Sequence, residues 1–247
     1  TSLSQEGVEE SNLLNTIELD NTIQQGKEKN ETSEENTLQS PEITQEEQEA
    51  NQESSERMAK VEKMQEINED IVGWIEIKDT NINYPVLQGE DNEYYLTHNY
   101  KKNKSQKGSI FLTKDYDWSI PSNNLLIYGH NIINGQMFRD LLKYKDEEFY
   151  NEHPIIRFTT ENEDSEYEIM SAFKSRVYYK EEENVFRYYN FVNPKTEEEY
   201  NEFVENAQKA SLYDTNVEAK YGDELITLIT CSYHTEDGRF VVIGRKR

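Results

Sequence analysis

The stretch ELITLITCSYHTEDGRFVVIGRKR, residues 224–247, contains two apolar runs joined by a short polar loop. Each run is rich in β-branched residues and short enough for a single strand, a pattern that predicts a hairpin-like pair. The first run ends at Cys231, and the second starts just after Arg239. We therefore expect a thiol and a guanidinium side by side at one rim of a sheet.

Six further short apolar runs precede this pair and have the same strand-like composition. About eight strands in one domain predict a closed or nearly closed β-barrel. Pro85 lies inside the second run and predicts an edge or a bend there. The runs are IVGWIEI (71–77), NINYPVL (81–87), GSIFLT (108–113), NNLLIYG (123–129), PIIRFTT (154–160) and EYEIMSAF (166–173).

Three segments have the apolar spacing of helices that pack one face on the sheet. The first precedes all the strands and can be capped by Ser54 or Ser55. The second covers 137–150, and the third, 196–210, lies in the long connection before the Cys231 strand. The predicted fold class is therefore mainly β. The expected buried faces are Met58, Val61, Met64 and Ile67, then Phe138, Leu141 and Leu142, then Tyr200, Phe203, Val204 and Ala207.

Residues 1–54 differ from the rest of the chain in being rich in Glu, Gln, Asn, Ser and Thr and poor in large apolar side chains. The first aromatic residue is Trp74, so this opening segment has too little apolar surface to build a core. We predict a disordered acidic spacer over 1–54 and one folded domain over 55–247.

The formal net charge of -24 argues against nucleic acid or an anionic membrane surface as the main partner, because both attract clustered Lys and Arg. No apolar run reaches the length of about 18 residues that a membrane-spanning helix needs. The chain begins at Thr1 without a signal-like apolar stretch. We therefore expect any membrane anchor to be an N-terminal segment that this chain does not contain.

Cys231 is the only cysteine in the chain. A single thiol excludes an internal disulfide and a thiolate zinc cluster, and we expect neither a metal nor a cofactor. A guanidinium such as that of Arg239 beside the thiol would favour the thiolate and could stabilise an oxyanion. The alternative is that Cys231 is an inert core residue and Arg239 a surface ion-pair partner.

The segment NNLLIYGHNIINGQMF, residues 123–138, places His130 at the end of another apolar run. An imidazole titrates near neutral pH, so it can pair with a thiolate and later protonate a leaving amine. His130 could instead cap the helical segment that follows. His234, in the loop after the thiol, is a rival base, whereas His98 and His153 lack any such context and are interpreted as structural.

Five segments together resemble those of the class B sortases, cysteine transpeptidases that join proteins to the cell wall. The similarity runs from about Met58 to the C-terminus, and the TLxTC motif with its downstream Arg is specific in combination. The segments are INEDIVGWIEIKDTNINYPVLQ (67–88), DNEYYLTHNYKKNKSQKGSIFLT (91–113), NNLLIYGHNI (123–132), TLITC (227–231) and GRFVVIGR (238–245).

This resemblance implies a sortase-type barrel and an enzyme that cuts an NPxTN-like C-terminal sorting signal after its threonine and passes the acyl group to an amine. It implies Cys231 as the nucleophile, His130 as the acid and base, and Arg239 as the group that orients the substrate and stabilises the oxyanion. The backbone N–H of Ser232 would complete the oxyanion hole. The positions that match the peptide groove of the family are Asn92, Leu96 and Tyr128.

The sequence departs from the common family pattern at Ile229, where a serine often stands, so a hydroxyl contact to the substrate is missing. The tetrapeptide Asn193-Pro194-Lys195-Thr196 looks like a sorting signal, but it precedes an amphipathic helix. We interpret Pro194 and Thr196 as helix-start residues.

The resemblance also implies the partners and the location. The donors would be sorting-signal peptides, the acceptor a peptidoglycan precursor amine or a pilin lysine, and the location the outer face of a Gram-positive cell membrane. Two alternatives stay open: a cysteine peptidase that uses water with the same three residues, and a non-catalytic surface or pilus module, which predicts a buried and unreactive Cys231.

Overall fold

A computed structural model describes residues 44–120 and 124–247. Within them, eight strands form one closed barrel, which confirms the predicted fold class, and each predicted run overlaps one strand. The strands are β1 (Ile71–Glu76), β2 (Asn83–Leu87), β3 (Ile110–Leu112), β4 (Asn124–Tyr128), β5 (Ile155–Thr159), β6 (Asp164–Arg176), β7 (Leu225–Cys231) and β8 (Gly238–Lys246).

The strand order around the barrel is β1-β2-β3-β4-β7-β8-β6-β5, and β5 closes the ring on β1. The pairs β2–β3 and β4–β7 are parallel, and the other pairs are antiparallel. Pro85 pairs with Trp74 of β1, whereas β2 pairs with β3 only at Val86 and Leu87. Pro85 therefore lies beside β1 but outside the β2–β3 pairing, which agrees with the first alternative of the predicted edge or bend.

Helical segments connect the strands. The segment predicted as one helix over 137–150 is a 3-10 helix followed by a short α-helix that starts anew at Asp146, whose side chain accepts from the Glu148 N–H. In the described part of the chain, none of the helices is both long and apolar enough to cross a membrane. The α-helices are α1 (Gln45–Gln65), α2 (Glu147–Glu152) and α3 (Glu197–Ala210), and the 3-10 helices are Tyr94–Leu96, Phe138–Lys145 and Tyr188–Asn190.

Helix α1 starts at Gln45, so the start predicted at Ser54 or Ser55 is wrong. The cause is a capping box: the Glu47 N–H donates to Thr44 Oγ1 at 3.3 Å, and the Thr44 N–H donates to Glu47 Oε2 at 2.8 Å. The predicted boundary between spacer and domain thus falls inside a helix. The remainder of the predicted spacer, residues 1–43, lies outside the described residues.

The predicted apolar face of α1 is correct at its centre and wrong at its end. Val61 and Met64 are buried and Met58 is half-buried. Ile67 is 45% exposed because the helix ends at Gln65, before Ile67 could join that face.

Side-chain alternation along the strands separates two hydrophobic cores. One fills the barrel and includes residues from all eight strands, with Phe138 and Leu141 of the 3-10 helix closing it. The other lies outside the barrel, where α3 covers β6, β7 and β8. The predicted face of α3 is confirmed, since its four buried residues are Tyr200, Phe203, Val204 and Ala207.

Gly129, which follows β4, allows a close approach of the chain to Phe138. A Cβ at this position would lie 2.7 Å from two ring carbons of Phe138 and would also collide with Ile110 Cδ1. We expect Gly129→Ala to lower the free energy of unfolding by about 1–3 kcal/mol through overpacking. Urea denaturation measures this effect, with Gly89→Ala, whose nearest contact would be 3.3 Å, as the milder control. Equal losses for both variants would contradict the steric account.

Candidate active site

The thiol and the guanidinium lie side by side, as the hairpin pattern predicts. In the antiparallel pairing of β7 with β8, Cys231 is directly opposite Arg239. Residues directly opposite in such a pair direct their side chains to the same face of the sheet. Arg239 Nη1 donates to the carbonyl oxygens of Asp237 and Gly238 at 3.1 and 3.0 Å, which anchors one end of the guanidinium. The guanidinium is a planar fork of five N–H donors, and those that are not bonded to these carbonyls can face a ligand.

The imidazole reaches the same rim because β4 runs parallel to β7. Tyr128 pairs with Ile229, and beyond it the Gly129 N–H donates to Ile229 O at 3.0 Å. Thr230 Oγ1 donates to Gly129 O at 2.8 Å, which continues the register past the last paired residue. By this register, His130 lies level with the cysteine.

A backbone carbonyl fixes the imidazole of His130. Its Nε2 lies 2.8 Å from the carbonyl oxygen of Leu96. A carbonyl only accepts hydrogen bonds, so Nε2 carries a proton in this pairing, and Nδ1 is the basic nitrogen of the neutral ring. Leu96 was predicted as a substrate contact, and its main chain also orients the histidine.

The three groups face one cavity of about 340 Å³. Its wall is mostly apolar and aromatic. Cys231 is partly exposed in this wall, unlike an inert core thiol. The lining residues are Asn92, Leu96, Phe111, Tyr128, Gly129, His130, Val177, Tyr188, Tyr189, Ile229, Thr230, Cys231 and Arg239.

The three predicted groove positions, Asn92, Leu96 and Tyr128, all line this cavity, and so does Ile229, where the sequence departs from the family pattern. Asn92 is held in place because its Oδ1 accepts from the Lys114 N–H at 2.8 Å. Ile229 is 2% exposed and presents an apolar surface where a serine hydroxyl is common in the family. The cavity therefore combines one fixed amide with a largely apolar floor.

Comparison with known proteins decides the family. A family model described as the Sortase domain matches residues 75–247. Sortase B of Listeria monocytogenes is 38% identical over 186 residues, which cover 74% of this chain and 72% of that protein. The chain is a class B sortase.

Solved sortase B structures share its architecture. The Staphylococcus aureus sortase B–substrate complex matches with a TM-score of 0.68 and 27% identity, over 82% of this chain and 97% of that one. A sortase B complexed with triglycine matches with a TM-score of 0.68 and 26% identity, over 83% of this chain and 99% of that one. The similarity thus extends over nearly the whole length of those chains.

Arg239 is the permanently charged side chain in the lining of the sortase cavity. Burial raises the pKa of Tyr128 to about 12, and the nearby Arg239 guanidinium opposes this rise. Burial likewise raises the pKa of Tyr188 well above its usual range, again against the influence of Arg239. Both phenols therefore stay neutral at physiological pH, and the positive charge of the guanidinium is available to an anion formed at the sulfur or at the substrate carbonyl.

The prediction for Ser232 is wrong in this structure. Its N–H donates to Gly238 O at 2.9 Å, the ladder bond that follows the Cys231–Arg239 pair, so it is not available as an oxyanion donor. The side chain of Ser232 contacts His234, with Ser232 Oγ 3.0 Å from His234 Nδ1. His234 is not among the cavity residues, which disfavours it as the base.

The remaining histidines have structural surroundings, as expected from the sequence. His98 stacks on Tyr94 with ring centroids 4.0 Å apart, and its Nδ1 is 2.9 Å from Tyr94 O. His153 caps the end of α2, and its Nδ1 is 3.0 Å from Lys78 O. Neither residue lines the cavity.

The tetrapeptide that looks like a sorting signal begins a helix, as predicted. Thr196 is the N-cap of α3 and its side chain accepts from the Glu199 N–H. Asn193 Nδ2 donates to Asp115 O at 3.0 Å, which ties the tetrapeptide to the fold.

Asn131 is a site residue that the sequence did not reveal. It is 6% exposed, and its Nδ2 donates to Cys231 O at 2.8 Å. Its Oδ1 accepts from Arg139 Nη1 at 2.8 Å. Asn131 thus joins the histidine loop to the end of the cysteine strand as a positioning residue. The only signal in the sequence was the position of Asn131 next to His130, and this position does not indicate the direction of the amide side chain.

Replacing Arg239 by lysine keeps the charge but removes the planar fork that is anchored on the loop carbonyls. We expect Arg239→Lys to lower kcat/KM for a sorting peptide about 10²–10³-fold, the usual effect of removing an oxyanion donor. Steady-state peptide cleavage measures this. The control is Arg247→Lys, since Arg247 lies outside the cavity and pairs with Glu166. Equal activity of the two variants would contradict the role assigned to the fork.

Proposed function

We propose that this sortase is a cysteine transpeptidase that cuts an NPxTN-like sorting signal after its threonine and transfers the acyl group to an amine. The observation that carries the proposal is the register of β4, β7 and β8, which brings His130, Cys231 and Arg239 to one cavity wall. A nucleophile, a proton carrier and an oxyanion stabiliser are the three groups that acyl transfer needs.

In the first half-reaction, the Cys231 thiolate attacks the threonine carbonyl carbon and forms the S–C bond. The negative charge that develops on the carbonyl oxygen is stabilised by the Arg239 guanidinium. The C–N bond then breaks as His130 gives a proton to the leaving amine, and a thioester remains on Cys231.

In the second half-reaction, an acceptor amine attacks the thioester carbonyl. His130 takes the proton from the attacking nitrogen, the C–S bond breaks, and the thiolate is restored. The bond from His130 Nε2 to Leu96 O leaves Nδ1 as the nitrogen that gives and takes the proton.

A peptide donor and an amine acceptor are supported by the relatives. One related sortase B is solved as a substrate complex and another with triglycine, a peptide with a free amine. We propose a peptidoglycan precursor amine or a pilin lysine as the acceptor, and the outer face of a Gram-positive cell membrane as the location. The partial exposure of Cys231 favours an enzyme over a non-catalytic surface module.

Product analysis with a panel of NPxTN-like peptides, with and without triglycine, tests the proposal. We expect cleavage after the threonine and, with triglycine, an amide product in place of most of the hydrolysed acid. Hydrolysis that triglycine leaves unchanged would show a peptidase instead. Absence of any cleavage across the panel would contradict the substrate class.

A further inference from the structure

Four basic side chains gather at one end of the barrel in a chain whose formal net charge is -24. We call Arg139, Lys145, Lys174 and His234 the cationic rim. Lys174 of β6 pairs with Phe240 of β8, and Lys145 Nζ lies 5.8 Å from the centroid of the Phe240 ring. Lys145, Lys174 and His234 are exposed, and Arg139 is half-buried. The rim is thus a compact and accessible group of positive charges.

Within residues 44–120 and 124–247, the rim has no acidic counterpart. Among the described residues, no carboxylate oxygen lies within 4.0 Å of a nitrogen of its four members, although the chain has 50 acidic residues. Burial lowers the pKa of Lys145, and the charges of Lys174 and Arg139 lower it further. Burial also lowers the pKa of His234, with Lys174 and Lys145 acting in the same direction. Mutual repulsion is therefore left uncompensated within the described part of the chain.

Two members of the rim, Arg139 and His234, are linked to the strand end that carries the nucleophile. Arg139 Nη1 is linked through Asn131 to Cys231 O by two hydrogen bonds of 2.8 Å. His234 is bonded to Ser232, the next residue in the chain after the cysteine. Uncompensated charge at this place suggests a ligand that approaches the thioester.

The rim also lies on the opposite face of the hairpin from the cavity. Arg239 lines the cavity, whereas the side chain of its neighbour Phe240 belongs to the barrel core and pairs with Lys174 on the other face. A sorting peptide in the cavity would leave this second face free. Because the Cys231 side chain faces the cavity, an acceptor whose anion is bound on the rim would reach the thioester around the end of β7, past Ser232 and His234.

We propose that the cationic rim binds an anionic group, a carboxylate or a phosphate, carried by the acceptor amine of the second half-reaction. This inference rests on the proposed transpeptidase function and adds the chemical class of the second substrate. Exposed charge contacts contribute modestly and are screened by salt, so the rim would tune acceptor affinity at low ionic strength.

The first test compares acceptors on the double variant Lys145→Gln/Lys174→Gln. Triglycine carries a free carboxylate and triglycinamide does not, and inorganic diphosphate serves as a competing anion. We expect the variant to raise the acceptor KM for triglycine about five- to tenfold, measured from the ratio of aminolysis to hydrolysis. The control Lys63→Gln/Lys209→Gln removes the same charge from α1 and α3 and should leave that ratio unchanged.

The outcomes identify the anion. An effect on triglycine but not on triglycinamide indicates a carboxylate. Competition by diphosphate in the native protein, lost in the rim variant, indicates a phosphate. If acceptor KM is equal in native protein and rim variant for both acceptors, and diphosphate does not compete, the proposal is overturned.

A binding experiment separates this inference from the proposed function. Diphosphate is titrated into the native protein and the rim variant at low salt, and amide chemical shifts are followed by NMR. We expect saturable shifts in residues 231–239 and 139–145 that the rim variant loses. These shifts would support an anion site even if no peptide were cleaved, and their absence in the native protein would contradict it even if transpeptidation were established.

Discussion

Replacement of Cys231 by alanine is expected to reduce cleavage of a sorting peptide by at least about 10⁴-fold, because the variant lacks the atom that forms the thioester. Cavity residues can still bind the peptide, so the variant should retain affinity while losing turnover. Cys231 is the only cysteine, so labelling of thiols in the native protein reports on the Cys231 sulfur alone. Rapid stoichiometric labelling is expected in the native protein because the sulfur lies on a cavity wall.

The control measurement for Cys231→Ala is the unfolding midpoint of the variant. Cys231 is partly exposed at the end of β7, so its truncation should change the unfolding midpoint little. A folded Cys231→Ala protein that still cleaves the peptide at the native rate would exclude the thiol as the nucleophile. Loss of both stability and activity would point to a packing role for the residue.

Replacement of His130 by glutamine is expected to lower kcat about 10²–10⁴-fold, the usual range for loss of a general acid and base. Glutamine is chosen because its amide N–H can still donate to Leu96 O, the partner of His130 Nε2, but it cannot carry a proton between groups. Single-turnover kinetics with the sorting peptide measure the loss directly. Binding of the peptide should change little.

Two matched variants sharpen this test. His153→Gln removes a histidine that caps α2 outside the cavity, and it should retain native turnover. His234→Gln removes the rival base, which faces Ser232 rather than the cavity. If His234→Gln loses turnover in the donor half-reaction and His130→Gln does not, the assignment of the acid and base is wrong.

The barrel and the juxtaposition of the thiol and the guanidinium could be predicted from the sequence because both follow from strand periodicity. A thiol that ends one strand and a guanidinium that begins the next must come together if the two strands form an antiparallel pair, and Cys231 and Arg239 do so. Strand periodicity alone did not predict the position of His130, because only the parallel pairing of β4 with β7 brings it level with the thiol. Family resemblance supplied that link.

The remaining features depend on hydrogen bonds that composition does not reveal. The Ser232 N–H is used by the hairpin itself, through Gly238 O. The side chain of Asn131 crosses between two strands that are far apart in the sequence to reach Cys231 O. Helix α1 begins where Thr44 and Glu47 cap each other, a local signal hidden in a stretch of otherwise polar residues.

The most direct test of the account is intact-protein mass spectrometry after mixing with an NPxTN-like peptide and then adding triglycine. We predict an increase in mass equal to the acyl fragment that ends in threonine, located on Cys231 by peptide mapping, which disappears as the triglycine-linked product forms. Cleavage of the peptide without any adduct on Cys231, or an adduct that triglycine does not discharge, would contradict acyl transfer through this thiol.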